Sequence, residues 1–151
     1  MTLLSWLQES RLATWVAESD RFYGYAGILT LHTVGLALVV GASAVLDLRV
    51  LGIAPRVPLA ALSGISRPMW IGFALNAVTG AVLFAAAAVL KGTQLIFYAK
   101  LALIASALLV DRSLRRRLFG ASAQPVRALA VWSLILWTGA IAAGRLMAYV
   151  E

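Results

Sequence analysis

Four long apolar runs constrain this chain more than any other feature of its sequence. They cover residues 25–46, 68–90, 94–110 and 126–149, and they are rich in Ala and Leu. At about 1.5 Å per residue, each run is long enough as a helix to cross roughly 30 Å of hydrocarbon, the third only just. Polar and apolar residues do not alternate, which disfavours membrane β-strands. The sequence therefore predicts an all-α membrane protein with a four-transmembrane-helix bundle.

Composition excludes a water-soluble fold. Of the 151 residues, 62% are hydrophobic and 13% charged, whereas a soluble domain has about 25% charged residues. The length leaves room for four spans and little else, so we expect one transmembrane domain over residues 23–151, preceded by the segment 1–22. The absence of cysteine excludes disulfides and thiolate metal sites.

The segment 1–22 has the pattern of one or two short amphipathic helices. Apolar residues are interleaved with polar and charged residues there, and we expect Trp6 and Trp15 to lie at headgroup depth. It lacks the basic and apolar regions of a cleaved signal, so we expect it to be retained. The sequence predicts an interfacial helix next to the first span.

The basic residues predict the orientation. Eight of the 13 Lys and Arg residues flank the first and third loops: Arg49, Arg56, Arg67, Arg112, Arg115, Arg116, Arg117 and Arg127. The positive-inside rule places these loops in the cytoplasm and both termini in the periplasm of a bacterial inner membrane. We interpret the run of three arginines as a topology anchor and expect no nucleic-acid partner.

Three nitrogen-bearing side chains are predicted to share one layer in the outer half of the bundle. His32, Lys100 and Arg145 each lie roughly 7–11 Å below the outer end of their span. Tyr149 shares the polar stripe of Arg145, so we expect Arg145 to lie nearer to His32 than Lys100 does. Such a layer could bind an anionic or redox-active amphiphile. The alternatives are that His32 makes an interhelical hydrogen bond that only stabilises packing, and that Lys100 and Arg145 extend to lipid phosphates.

The remaining intramembrane polar residues favour structural roles. Asn76 suits an interhelical hydrogen bond, and Asp47 and Arg49 are expected to pair with each other or with the Asp111–Arg112 end of the third span. No carboxylate falls at mid-membrane, which disfavours a coupled pump. Small residues repeat at helical spacing in several spans, so a homodimer or a larger membrane complex is possible. The usual hydrolase, nucleotide-binding and thiol motifs are absent, so we expect no catalytic role.

Four segments of the sequence carry a resemblance to a known family. They read LHTVGLALVVGASAVLDLRVLG, GFALNAVTGAVLF, FYAKLALI and SLILWTGAIAAGRLMAY. Together they resemble a family of small bacterial inner-membrane proteins of unknown function with four spans. The resemblance implies that five polar residues fall within recurring motifs: His32, Asp47, Arg49, Lys100 and Arg145. More distantly, LHTVG and the aromatic residue three positions before Lys100 look like the CopD-type copper-resistance membrane domain, whose further histidines this chain lacks.

Three hypotheses for function follow. The first is a non-catalytic membrane binding or accessory protein whose outer pocket, lined by His32, Lys100, Arg145 and Tyr149, takes a quinone, a haem or a lipid headgroup. The second is a structural assembly subunit of a larger membrane complex. The third is a copper-handling protein that uses His32 with Met147 as soft ligands.

Overall fold

The computed structural model of the chain describes residues 2–19, 23–120, 126–147 and 149. Within these ranges the chain is helical and contains no strand. The helices are α1 (Leu3–Gln8), α2 (Arg11–Glu18), α3 (Tyr25–Leu51), α4 (Ser66–Ala86), α5 (Ala88–Thr93), α6 (Leu95–Phe119) and α7 (Arg127–Leu146), with a 3-10 helix, η1, at Leu59–Ile65. The expected boundary after residue 22 and most of the expected loop around residue 122 fall outside the described residues.

Helix α3 ends where a glycine permits it. Gly52 has a φ of 107°, and its amide donates to the Arg49 carbonyl. The Ile53 amide donates to the Leu48 carbonyl at 2.9 Å, which completes a Schellman motif. The Arg49 side chain then donates to the carbonyls of Val57 and Pro55, at 2.6 and 3.0 Å. The loop after α3 is thus fastened to the end of the helix.

The second and third apolar runs do not end where the sequence suggested. Helix α4 stops at Ala86, and a break at Ala87, with φ −139° and ψ 39°, starts the separate short helix α5. Helix α6 continues past residue 110 to Phe119. Phe84 and Phe97 stack with their ring centroids 4.8 Å apart, so α4 and α6 lie side by side at this turn.

The four long helices pack along one another, with α3 against α4 and α7, and with α6 against α7. The centre of the core is apolar and includes Val39, Met69, Ala107 and Trp137. We call the end of the bundle where α3 finishes and α4 starts the inner end, after its predicted orientation, and the opposite end the outer end. A second apolar cluster at the inner end contains Leu46, Leu114 and Ala130.

The two N-terminal helices cover the outer end of α4. Thr2 and Ser10 accept hydrogen bonds from the Ser5 and Ala13 amides, as N-cap residues do. Helix α2 packs on α4 and α1 packs on α5. Ala13 and Val16 are fully buried there. Trp6 and Trp15 remain exposed on the other side.

Three helical segments of the described chain are long and apolar enough to cross a membrane: Tyr25–Leu51, Leu59–Ala86 and Arg127–Leu146. By length and composition these three segments are candidate membrane spans. Helix α6 has 25 residues, but the part long enough to cross contains Lys100, Asp111 and Arg112. Its charge, and not its length, separates it from the other three.

Candidate functional site

The imidazole of His32 lies between α3 and α4. Its Nδ1 is 3.1 Å from the Thr79 hydroxyl oxygen. A Cβ on Gly80 would come within 3.0 Å of the ring, so this glycine makes room for the imidazole. The Thr79 hydroxyl donates to the Leu75 carbonyl at 2.6 Å. Because a hydroxyl has one proton to donate, we infer that His32 Nδ1 donates to Thr79.

Asn76 strengthens the same helix contact. Its Nδ2 donates to the His32 carbonyl at 2.8 Å, which joins α4 to the backbone of α3. The helices approach closely beside it, because a Cβ on Gly35 would come within 2.8 Å of the Asn76 backbone nitrogen. Asn76 therefore makes the kind of interhelical hydrogen bond that the sequence suggested.

Lys100 is half-buried and lies across α7. A Cβ on Gly144 would be 3.3 Å from both Cε and Nζ of the lysine. The charge of Lys100 acts on His32, and the charge of Lys91 acts in turn on Lys100. Lys91 is satisfied, since its Nζ donates to the Met147 carbonyl at 3.0 Å and to Gln94 Oε1 at 3.4 Å. Within the described ranges, Lys100 makes no hydrogen bond or ion pair.

The other two residues predicted for this pocket are exposed. Arg145 is exposed in the last turn of α7, and Tyr149 is 72% exposed. The expectation that Arg145 would lie nearer to His32 is wrong, because Lys100 is the cation whose charge acts on the imidazole. Of the four predicted pocket residues, Lys100 is the one whose charge acts on His32.

The proposed copper ligands gain no support from the described geometry. His32 faces α4, whereas Met147 follows α7 and offers its carbonyl to Lys91. Among the residues that the structure describes, no group of three or more His, Asp or Glu side chains could hold a metal ion. A copper site using His32 and Met147 stays a sequence prediction.

A second polar group lies at the inner end, around Asp111 of α6. Arg115 donates to both of its carboxylate oxygens, from Nε at 2.7 Å and from Nη2 at 3.0 Å. The Ser43 hydroxyl donates to the same carboxylate at 3.3 Å. The arginine also donates to the Ser66 hydroxyl and to the Met69 sulfur, which links α6 to α4. Sequence reasoning treated Arg115 as an anchor only, although its i,i+4 spacing from Asp111 indicated the pair.

Asp47 does not form the expected pair with Arg49. The arginine turns to the loop carbonyls, while Asp47 is completely buried between the helices. Ser133 of α7 lies beside its carboxyl group, and this serine is also fully buried. Neither carboxylate oxygen nor the Ser133 hydroxyl has a hydrogen-bond partner of acceptable geometry within the described ranges. Sequence reasoning missed Ser133, whose only signal was a hydroxyl in an otherwise apolar run.

No family model, curated protein or solved structure matches the chain. The family resemblances drawn from the sequence therefore remain predictions. Function has to be inferred from the two polar groups, one around Lys100 and His32 and one around Asp47 and Asp111.

Proposed function

We propose that this chain is a membrane binding or accessory protein of the bacterial inner membrane that crosses the bilayer four times. It holds an anionic or redox-active amphiphile in the outer half of the bundle, at Lys100 and His32. The supporting observation is a half-buried lysine, Lys100, without a counter-ion in the described part of the chain.

Helix α6 is suited to be the fourth span. Its 25 residues would extend about 37 Å, which exceeds the roughly 30 Å of hydrocarbon. Asp111 is neutralised by Arg115 at 2.7 Å, so the inner part of α6 carries a pair and not two separate charges. Lys100 is near the outer end of the helix, where a long side chain can reach a headgroup. The apparent excess of charge is therefore compatible with insertion.

The N-terminal helices suit the outer interface. Their buried side, with Ala13 and Val16, packs on α4. The exposed Trp6 and Trp15 suit the boundary between hydrocarbon and water. In this arrangement both termini are periplasmic, and the basic loops at the inner end face the cytoplasm.

The chemistry of the outer site favours an oxygen-rich acceptor. Lys100 has three N–H donors and no described acceptor, and its charge is close enough to act on His32. A phosphate, a propionate or a quinone carbonyl would accept a charge-assisted hydrogen bond from Lys100. An anion would also offset the repulsion between Lys100 and Lys91. The shared requirement is an amphiphile whose polar end carries acceptor oxygen atoms.

The test is to identify what co-purifies with the protein. We would extract it in mild detergent, record its absorbance spectrum and analyse bound lipids and quinones by mass spectrometry. We expect one amphiphile at stoichiometric amount in the wild type, and at least a tenfold loss in Lys100→Met. Arg112→Met, which removes an exposed cation at the inner end, is the matched control and should keep the ligand.

His32→Leu separates the role of the imidazole. If His32 contacts the ligand, this variant also loses it, whereas a purely structural histidine changes stability alone. Equal occupancy in the wild type and Lys100→Met, or no bound amphiphile in the wild type, would contradict the proposed site.

One observation favours the second candidate, an assembly subunit. Gly41 lies on an exposed face of α3, and a Cβ there would meet nothing within 4 Å. This small-residue face is not used inside the chain and suits close approach of another helix. If Gly41→Leu removes a stoichiometric protein partner from the purified sample, and Lys100→Met does not, the assembly role takes precedence.

A further inference from the structure

We propose that Asp47 is a reversible proton-binding site at the inner end of the bundle, with the Ser133 hydroxyl as its hydrogen-bond partner. The proposal is independent of the amphiphile site, which lies in the outer half. It rests on burial and on hydrogen bonding around one carboxyl group.

Among the described residues, Asp47 has no cation paired with it. Asp47 and Asp111 are both buried, with 0% and 1% exposure. Arg115 directs two N–H groups to Asp111 and its remaining described contacts to Ser66 and Met69. Asp47 and Asp111 thus lie near a single guanidinium group, that of Arg115, and this group is paired with Asp111. An ionised Asp47 would be a buried negative charge without a pair, and such a charge costs several kcal/mol.

The other packed elements offer no further cation for this carboxyl group. The 3-10 helix η1 contains no titratable residue. Arg67 of α4 and Arg127 of α7 are exposed, and Arg49 of α3 itself is held by the loop carbonyls. The charged groups whose fields act on Asp47 are Asp111 and Arg115. Their charges have opposite signs, so their combined effect does not replace a dedicated counter-ion.

Protonation of Asp47 removes its charge and lets it form a hydrogen bond with the groups that are present. A carboxylate can only accept hydrogen bonds, whereas a protonated carboxyl group has one donor and an acceptor oxygen. The Ser133 hydroxyl can accept from the carboxyl O–H or donate to its C=O, and it lacks any other described partner. Binding is a simple association, in which one carboxylate oxygen takes a proton from the aqueous phase and an O–H bond forms.

A metal cation fits the site less well. A hard cation takes about six or more oxygen ligands. The unpartnered buried oxygens of the described residues are the two of Asp47 and the Ser133 hydroxyl. The remaining unpartnered buried side-chain atom is Trp137 Nε1, one turn further along α7, which is a donor and cannot ligate a cation.

Infrared spectroscopy of the purified full-length protein at neutral pH tests this proposal. We expect the carbonyl stretch of a protonated carboxylic acid, which moves when the side-chain carboxyl of aspartate is labelled with heavy carbon. The band should disappear in Asp47→Asn and persist in Glu18→Gln, which changes an exposed acid. Ser133→Ala should shift the band to higher frequency, because the carboxyl group loses its hydrogen bond.

Several outcomes would overturn the proton site. One is a wild-type protein without the band at neutral pH, and another is a band that Asp47→Asn leaves unchanged. A third is a thermal midpoint that rises when sodium replaces choline at constant ionic strength, in the wild type but not in Asp47→Asn. That result would identify a metal-cation site instead. Since heavy-carbon labelling and Ser133→Ala keep Asp47 in place, the test holds even if Asp47→Asn does not fold.

Discussion

The two ends of the helix bundle contain buried charge in different arrangements. At the inner end, Asp111 receives two hydrogen bonds from Arg115 and one from Ser43, so the charge of this carboxylate is neutralised within the chain. At the outer end, Lys100 is half-buried beside Gly144 and has no described counter-ion. Breaking a buried pair destabilises a fold strongly, whereas an uncompensated charge in low dielectric needs a partner from outside. The difference separates the Asp111–Arg115 pair, whose role is structural, from Lys100, where we propose that a ligand binds.

The sequence spacing explains this difference. Arg115 follows Asp111 by four residues, so one turn of α6 brings the two side chains together. Lys100 has no acid at a comparable spacing, and the helix face opposite it presents Gly144. Among the described residues it has no acidic partner, which supports the proposal that the bilayer surface or a ligand satisfies its charge.

The largest effect is expected from breaking the inner pair. Arg115→Met leaves the buried Asp111 carboxylate without its partner, which should lower the free energy of unfolding by about 3–5 kcal/mol. Unfolding in mixed micelles with increasing SDS measures the loss. Arg116→Met removes an exposed cation from the same turn and is the control, with a change within about 0.5 kcal/mol. Equal stability of both variants would contradict the structural role of the Asp111–Arg115 pair.

A smaller effect is expected from the glycine contact that holds α3 and α4 together between the two ends. A Cβ at Gly72 would come within 2.5 Å of Leu38 Cβ and 2.9 Å of the Gly35 carbonyl oxygen. Gly72→Ala should therefore lower the free energy of unfolding by about 1–3 kcal/mol, because the helices must separate. The same SDS titration measures it.

Gly41→Ala is the matched control for this contact, because the space around Gly41 is open. It should be neutral or stabilising by up to about 1 kcal/mol, since alanine favours a helix more than glycine does. If both alanine variants lose the same stability, close packing of α3 on α4 is not important for the fold.

The smallest effect on stability is expected at the outer end. Lys100→Met removes a charge that has no described partner, so the free energy of unfolding of the ligand-free protein should stay within about 0.5 kcal/mol or rise. The same SDS titration, on protein stripped of lipid, measures it. A loss as large as that of Arg115→Met would show that Lys100 has an internal partner and would end the contrast between the two ends.

The sequence predicted the presence of helices better than it predicted the contacts of individual side chains. Hydropathy and length correctly indicated an all-helical chain and three of the four predicted spans as candidates, because they are local properties of the chain. The break at Ala87 was missed, since no proline or capping residue marks it. The interhelical role of Asn76 was anticipated from its residue type in an apolar run. The direction of Arg145 was not, because the rotation of a helix about its axis depends on packing between helices and is not encoded by spacing alone.

Site chemistry at the inner end was also only partly predictable. Asp47 and Arg49 are two residues apart. Residues at this spacing face different sides of a helix, so the spacing itself argued against a close pair in α3. The burial of Asp47 beside Ser133 required knowing that α3 packs on α7. Such contacts join residues far apart in the chain, and a single sequence does not reveal them.

The most direct test of the account is the number of spans, since the outer site exists only if α6 crosses the membrane. The chain has no cysteine, so single cysteines at Thr2, Ser122 and Tyr149 can be labelled in intact cells with a membrane-impermeant reagent. Four spans predict that the cysteines replacing Thr2 and Tyr149 are labelled from outside and that the one replacing Ser122 is protected. Labelling at only one of Thr2 and Tyr149 would place the termini on opposite sides, as three spans require, and would contradict the account.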